Sequence, residues 1–252
     1  MTTEIMSTTA ACLVAGVDGC PTGWVVVVRP RDDASAAMVI HVTSFAEILA
    51  LAEQPALIAI DIPIGLPERV TTGGRDADIL ARRNLGARQS SVFSMPSRRA
   101  VFAETYSDAC EAALETSEPP RKISKQAFNI FPKVREVDVA MTPDLQQRVF
   151  EVHPEIAFWA LNGEQPLETA KKVKSRPNPE GLEQRRALLA SSSAGYTRTF
   201  LDEDHLPRKI AGPDDVLDAA VNAHAAARIA RGQARRFPDA PKVDARGLRM
   251  EI

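Results

Sequence analysis

The chain has 252 residues and carries 31 Lys and Arg against 33 Asp and Glu, a net charge of −2. This near balance excludes a strong overall positive field of the kind that attracts nucleic acid, although a local basic face stays compatible with it. Three well-separated cysteines exclude a cysteine-based zinc site or a disulfide framework, and no apolar run approaches the ~18 residues of a membrane span, so we expect a cytoplasmic protein with no membrane partner.

Four strands and a helix are predicted between residues 12 and 65. The strands read, in chain order, CLVAGVD, GWVVVVRP, AMVIHVTS and ALIAIDIPIGLP. The turn sequence GCPTG joins the first two into a hairpin, and SFAEILALAEQP predicts a helix with Ser44 as its N-cap. The fourth strand is apolar on both faces, which is typical of a central parallel strand covered by helices.

The rest of the chain predicts a helical insertion at about 67–145, a fifth strand, RVFEVHPE, at 148–155, and a helix that the fifth strand feeds. A last helix, GPDDVLDAAVNAHAAARIARG, has Pro213 in its first turn and Gly232 at its end. We therefore expect an α/β fold over 12–235, with tails at 1–11 and 236–252. Its mixed five-stranded sheet has the order 3-2-1-4-5, is flanked by helices, and carries the insertion between strands 4 and 5.

Two aspartates stand near the carboxyl ends of apolar strands: Asp18 in AGVDG and Asp61 in AIDIPIG. A buried carboxylate needs a hydrogen-bond donor, a base or a metal ion as its partner. Ligands of open α/β sheets bind beyond the carboxyl ends of the strands where the strand order reverses, here between the first and fourth strands. We expect both side chains to meet at that point; a turn-capping or helix-capping role is the alternative for each.

The last helix and the EVHPE stretch add further acids. Asp215 and Asp218 share one helix face, which Asn222 continues, and we expect the opposite, apolar face to pack on the sheet. For Asp214 we expect a structural role only, because an acid in the first turn of a helix is favoured by the helix macrodipole. Glu155 follows the fifth strand on the edge of Asp61, and His153 suits a general base, a metal ligand or a hydrogen-bonded structural residue. An all-oxygen ligand set suits Mg²⁺ or Mn²⁺.

The plan of strands and helices, with acids in the first and fourth strands and a DDVLDA helix, resembles the ribonuclease H-like superfamily. Holliday-junction resolvases are the nearest functional analogue, since they too carry a D-x-x-D pair on the last helix. More closely, the chain resembles domain-of-unknown-function family 429, described as predicted nucleases of this fold. The motifs of this likeness cover about 14–230 and read GVDGCPTGW, DIPIGLP, RxxDxxxRxxLGxRxSSVF (75–93), SKQAFNIFPKVREVD (124–138), EVHPEIAF and DDVLDA.

The resemblance implies a metal-dependent nuclease that hydrolyses phosphodiester bonds with Mg²⁺ or Mn²⁺, and two ions would stand ~3.5–4 Å apart. It makes Asp18 and Asp61 the strand ligands and takes Asp215 or Asp218 as the ligand from the last helix. The expected catalytic residues are Asp18, Asp61, Glu155, Asp218 and His153. The EVHPE element is a departure from the resolvases, which lack it.

The insertion is rich in basic residues between 75 and 135, interleaved with Phe128 and Phe131. Basic side chains, hydroxyl groups and aromatic rings in this pattern favour contact with phosphates and nucleobases. The alternative is that the basic residues form a solvated helix face and the two phenylalanines belong to the core. The expected substrate-binding residues are Arg88, Ser90, Ser91, Lys125 and Gln126.

Two other functions stay open. Sugar kinases and actin-like ATPases share the strand plan and a first-strand phosphate loop that DGCPTGW resembles loosely, but they duplicate the fold, and this chain has one copy. The other is a phosphate- or nucleotide-binding protein, or a small phosphoester hydrolase, whose insertion closes over a compact pocket. Nucleic acid and a small phosphoester are accordingly the two candidate partners.

Overall fold

A computed structural model describes residues 12–174 and 176–252, so the predicted tail at 1–11 lies outside the described residues. The first elements are β1 (Leu13–Cys20), β2 (Gly23–Pro30), β3 (Met38–Val42), α1 (Phe45–Leu49) and β4 (Leu57–Ile60). The predicted cap of α1 is confirmed, because the Ser44 hydroxyl accepts a hydrogen bond from Glu47 N at 3.3 Å. Gly23 ends the hairpin turn at a φ of +144°, where a Cβ would stand 2.1 Å from the Val42 carbonyl oxygen.

The insertion is largely helical, as its polar sequence predicts, with one pair of two-residue strands. Its elements are β5 (Val70–Thr71), α2 (Asp76–Asn84), a 3₁₀ helix (Gly86–Ser91), α3 (Arg98–Val101), α4 (Tyr106–Thr116), β6 (Ser117–Glu118) and α5 (Lys125–Ala140). Helix α5 brings its buried Phe131 and Val134 against the sheet, so the core interpretation of Phe131 is the one that the structure supports.

The last part of the chain returns to the sheet and then covers it. Its elements are a 3₁₀ helix (Leu145–Gln147), β7 (Val149–Glu151), α6 (Pro154–Leu161), β8 (Lys172–Val173), β9 (Arg176–Pro177), α7 (Pro179–Leu189), α8 (Arg198–Asp202) and α9 (Pro213–Ala230). Strands β8 and β9 form a short antiparallel hairpin within a polar stretch for which the sequence analysis predicts no strand. Among the described residues, no helix is both long and apolar enough to cross a membrane.

The main sheet has the strand order β3-β2-β1-β4-β7, so the predicted order is confirmed with β7 as its fifth strand. Strand β2 is antiparallel to both β1 and β3, whereas β4 runs parallel to both β1 and β7. This architecture is consistent with a ribonuclease H-like fold. The apolar runs alternate between two cores: Val25 and Val27 of β2 face α9, while Val26 and Val28 face α1 and α5.

Helix α9 lies directly on β1 because the residues at their contact are small. A Cβ on Gly16 would stand 2.0 Å from the Ala223 nitrogen and 2.1 Å from the Ala219 carbonyl oxygen. Asn222 lies in the same contact and is buried. The prediction that the Asn222 side of the helix faces away from the sheet is therefore wrong. Leu217 and Val221 are buried too, in the core cluster that holds Val25 and Val27 of the sheet, and α6 and α7 also contact α9.

Residues 236–252, assigned to a tail from the sequence, pack against the insertion. Leu248 is fully buried, and Asp244 accepts hydrogen bonds from Leu66 N and from Arg98. Arg98 holds this segment against α5, because it forms ion pairs with two buried carboxylates. One belongs to Asp138 of α5 and the other to Asp244 of the segment.

Candidate active site

A cleft of about 460 Å³ lies at the carboxyl ends of β1, β4 and β7, where the strand order reverses. The 3₁₀ helix at 86–91 and α5 form one side, and the β8 strand and the start of α9 form the other. The charged residues that line it are Asp18, Asp61, Arg75, Asp78, Lys133, Glu151, Lys171, Lys172, Asp214 and Asp215. These are six carboxylates against four cations, so the lining has an excess of negative charge.

Asp18 and Asp61 meet in this cleft, as predicted from their strands. Val17 pairs with Ile60 in the parallel β1–β4 ladder, which places the two following aspartates side by side. Asp18 is only 8% exposed. Burial, then repulsion from Asp61 and from Asp215 and Asp214, raises the pKa of Asp18 well above its usual range, with Lys171 opposing the change. A bound cation would relieve this repulsion.

The first turn of α9 adds Asp214 and Asp215 to the cleft. Asp215 Oδ2 accepts a hydrogen bond from Gly212 N at 2.8 Å, so this carboxylate also caps the helix. Burial and the neighbouring Asp214 raise the pKa of Asp215, whereas the Gly212 bond and two lysines lower it. Asp214 is buried and pairs with Lys172 at 2.5 Å.

Asp218 is not brought to the cleft surface. Its side chain is 1% exposed and forms an ion pair with the Lys171 ammonium, which lies between it and the cleft. The other carboxylate oxygen, Oδ1, is buried and has no hydrogen-bond partner among the described residues. Of the predicted ligands, Asp18, Asp61 and Asp215 therefore share the cleft, and Asp218 stands behind Lys171.

Glu155 is separated from the other acids by its own buried partner. Its carboxylate accepts a 2.5 Å hydrogen bond from Arg185 of α7, whose side chain is fully buried. Glu155 does not line the cleft. This arrangement gives Glu155 the role of joining α6 to α7.

His153 lines the cleft, but both of its ring nitrogens contact the main chain. Nδ1 accepts a hydrogen bond from Glu155 N at 3.2 Å and so caps α6, which leaves Nε2 to donate to the Ser91 carbonyl at 3.2 Å. In this state the imidazole connects α6 to the insertion and has no nitrogen left for a proton transfer.

Of the five residues predicted to bind substrate, Ser91 alone lines the cleft. Arg88 and Ser90 lie on the same 3₁₀ helix outside the lining. Lys125 stands 4.2 Å from the Tyr106 ring centroid in a cation–π contact, and its exposed neighbour Gln126 is outside the lining too.

Much of the basic insertion has a structural role. Arg75, fully buried, bonds to Asp78 and Glu151 at 2.7 and 2.6 Å and forms the floor of the cleft. Burial raises the pKa of Glu151 to about 7, although the charge and the hydrogen bonds of Arg75 act to lower it. Other arginines are occupied by carbonyl groups or carboxylates: Arg82, Arg98, Arg99 and Arg135.

The cleft contains three lysines that were not singled out from the sequence. Lys133 of α5 donates to the Gly23 carbonyl, lies 4.3 Å from the Trp24 ring centroid, and has no carboxylate partner among the residues described. Partial burial lowers its pKa. Lys171 and Lys172 belong to a polar, lysine-rich stretch for which the sequence predicts no functional role. The sequence offers one signal for Lys133: it stands one helical turn after Asn129, so both residues lie on the same face of α5 and both line the cleft.

The donor chemistry suits a hard divalent cation, but the described residues form no preassembled metal group of three or more acids, histidines or cysteines. Mg²⁺ keeps several waters and binds through one or two carboxylates together with substrate phosphates, so Asp18 and Asp61 are sufficient protein ligands. The lining carries six carboxylates and four cations, so its formal charge is negative. Asp18 and Asp61 therefore fit a hard divalent cation.

A family model described as "Protein of unknown function (DUF429)" matches residues 16–243, nearly the whole chain. Comparisons with curated proteins and with solved structures found no match.

Proposed function

The chain belongs to the DUF429 family, and on that premise we propose that it is a phosphoester hydrolase that works with a divalent cation in the Asp18–Asp61 cleft. The observation that carries the proposal is the electrostatics of Asp18. It is a nearly buried carboxylate whose pKa is raised by burial and by three neighbouring acids, in a cleft with excess negative charge. Such an arrangement costs stability unless a cation joins it, and strongly perturbed acids in a cleft mark functional sites.

Asp18 and Asp61 would hold the ion, and Asp215 lines the same cleft. When bound, such an ion would supply a Lewis acid for a phosphoryl oxygen and would lower the pKa of a water. Asp215 is fixed by its bond to Gly212 N, and the Arg75–Glu151 pair fixes the cleft floor. These contacts hold the ligands in place before the substrate arrives.

Lys133 is suited to bind the phosphate. Its ammonium has three donors, of which the Gly23 carbonyl takes one, and no carboxylate competes for the others among the described residues. Desolvation strengthens its attraction for an anion, and desolvation also lowers its pKa. Ser91 and Asn129 lie on the same wall and add neutral donors.

Within this reaction, a nuclease and a hydrolase of small phosphoesters differ in substrate size. One observation favours the small substrate: several arginines of the insertion are engaged in internal contacts, and of the predicted substrate-binding residues only Ser91 lines the cleft. We therefore place a compact phosphoester first and a polymeric nucleic acid second.

The experiment is a hydrolysis assay on nucleoside monophosphates, a phosphodiester such as bis-p-nitrophenyl phosphate, and single- and double-stranded DNA and RNA. Mg²⁺ or Mn²⁺ is supplied, and the wild type is compared with Asp18→Asn and with Glu164→Gln, a matched control at an exposed carboxylate. We expect cation-dependent hydrolysis by the wild type and by the control, and its loss in Asp18→Asn. Equal activity of all three proteins, or none on any substrate, would contradict the proposal.

A further inference from the structure

Lys171 supplies a fixed positive charge where the last helix meets the cleft. It forms an ion pair with the buried Asp218 and also lines the cleft. Lys171 and Asp18 line the same cleft, so this ammonium stands beside the strand carboxylates as well as the buried carboxylate of the last helix.

The neighbouring pair repeats this arrangement. Lys172 bonds to Asp214 at 2.5 Å, and Asp214 is buried in the first turn of α9. Two consecutive residues at the start of the β8–β9 hairpin thus neutralise two acids of one helix. A lysine cannot dissociate from the chain as an ion can, so the neutralisation is permanent while the hairpin stays in place.

The surroundings of Asp218 require a cation. A carboxylate that is 1% exposed is strongly unfavourable without a charged partner, and its Oδ1 has no hydrogen bond among the described residues. Lys171 is the cation that meets this need, and its own side chain is only 27% exposed.

We propose that Lys171 is a positioning residue that substitutes for a second divalent ion, so that the site takes one ion per chain. This inference rests on the proposed function, because it concerns the same cleft. It predicts that removing the ammonium while keeping its length, as in Lys171→Met, opens a second cation position at Asp218.

The test is a Mn²⁺ titration of the full chain that gives the number of ions bound per chain. Calorimetry and the electron paramagnetic resonance signal of free Mn²⁺ both monitor the titration. We expect one ion for the wild type, for Lys171→Arg and for the exposed control Lys122→Met. We expect two ions for Lys171→Met and one again for Lys171→Met with Asp218→Asn.

A fold readout accompanies the stoichiometry. Lys171→Met leaves Asp218 buried without a partner, so its melting temperature falls without metal and recovers in Mn²⁺ by more than the wild type gains. A Lys171→Met protein that stays unfolded in Mn²⁺, or that binds a single ion, overturns the inference. Two ions in the wild type overturn it as well while leaving the proposed function intact, whereas no binding by any variant means that the proposed function itself fails.

Discussion

The side chain of Asn222 donates a hydrogen bond to the carbonyl oxygen of Val17 at 3.0 Å, inside the buried contact between α9 and β1. The same carbonyl accepts the main-chain N–H of Asp61 at 2.9 Å. The Val17 carbonyl oxygen therefore connects β1 to both β4 and α9, and Val17 directly precedes Asp18 in the sequence. This bond fixes the register of α9, so that its first turn reaches the carboxyl ends of the strands.

Replacing Gly16 by alanine should separate α9 from β1. The new Cβ would meet main-chain atoms of Ala223 and Ala219 at 2.0 and 2.1 Å, and a backbone cannot yield as a side chain can. We expect the free energy of unfolding to fall by about 1–3 kcal/mol or more, measured by urea denaturation. Gly19→Ala is the matched control on the same strand, because its Cβ would meet the flexible Lys133 side chain at 3.1 Å and the Trp24 ring at 3.9 Å, with no main-chain atom among these contacts. Equal stability of the two variants would contradict the close-packing account.

Asp18→Asn should raise the free energy of unfolding at neutral pH in a metal-free buffer. The pKa of Asp18 is raised in the folded chain, so the folded state binds this proton more tightly than the unfolded state does. The carboxylate therefore destabilises the fold as pH rises above its ordinary value of 3.8, and fully so above the raised pKa. The gain from asparagine should vanish at pH values below 3.8. Urea denaturation across a pH series measures it, and a gain that does not change with pH would argue against crowded carboxylates.

Glu155→Gln should behave as the loss of a buried ion pair. Arg185 would remain fully buried without its carboxylate, which costs about 3–5 kcal/mol of unfolding free energy. The control is Glu164→Gln, which removes an exposed partner of Arg235 and should cost about 0–1 kcal/mol. If Glu155→Gln kept wild-type stability and lost only hydrolysis, the residue would act in catalysis rather than in joining α6 to α7.

His153→Asn should keep most of the hydrolysis, whereas His153→Ala should lose stability. Asparagine can accept the hydrogen bond from Glu155 N as the imidazole does, and loss of this cap costs about 0.5–2 kcal/mol. Melting temperature and the pH profile of kcat/KM measure the two effects. A loss of about 10²-fold or more in the asparagine variant, with the fold intact, would assign general acid–base catalysis to His153.

The sheet could be predicted because its information is local. The apolar runs of β1, β2 and β4 and the turn GCPTG fix strands and hairpin, and the confirmed order places Val17 beside Ile60. From that register the meeting of Asp18 and Asp61 follows without further contacts.

The rest depends on pairs that are far apart in sequence. Arg98 and Asp244 are 146 residues apart, and Lys171 and Asp218 are 47 apart. No local sequence pattern therefore distinguishes these two basic residues from basic residues that face solvent. The packing face of α9 was misassigned for a related reason. Helical periodicity favours the larger apolar residues, whereas Gly16 on another element makes the alanine and asparagine side the closest contact.

The most direct test of the Asp18–Asp61 cation site is the effect of Mn²⁺ on the melting temperature of the wild type, Asp18→Asn and Asp61→Asn at neutral pH. Binding to the folded state alone raises stability with cation concentration, by about 2.7 kcal/mol at 100 times Kd. We expect a saturable rise for the wild type and for the control Glu164→Gln, and little or none for the two cleft variants. A rise of the same size in Asp18→Asn, or no rise in the wild type, would contradict it.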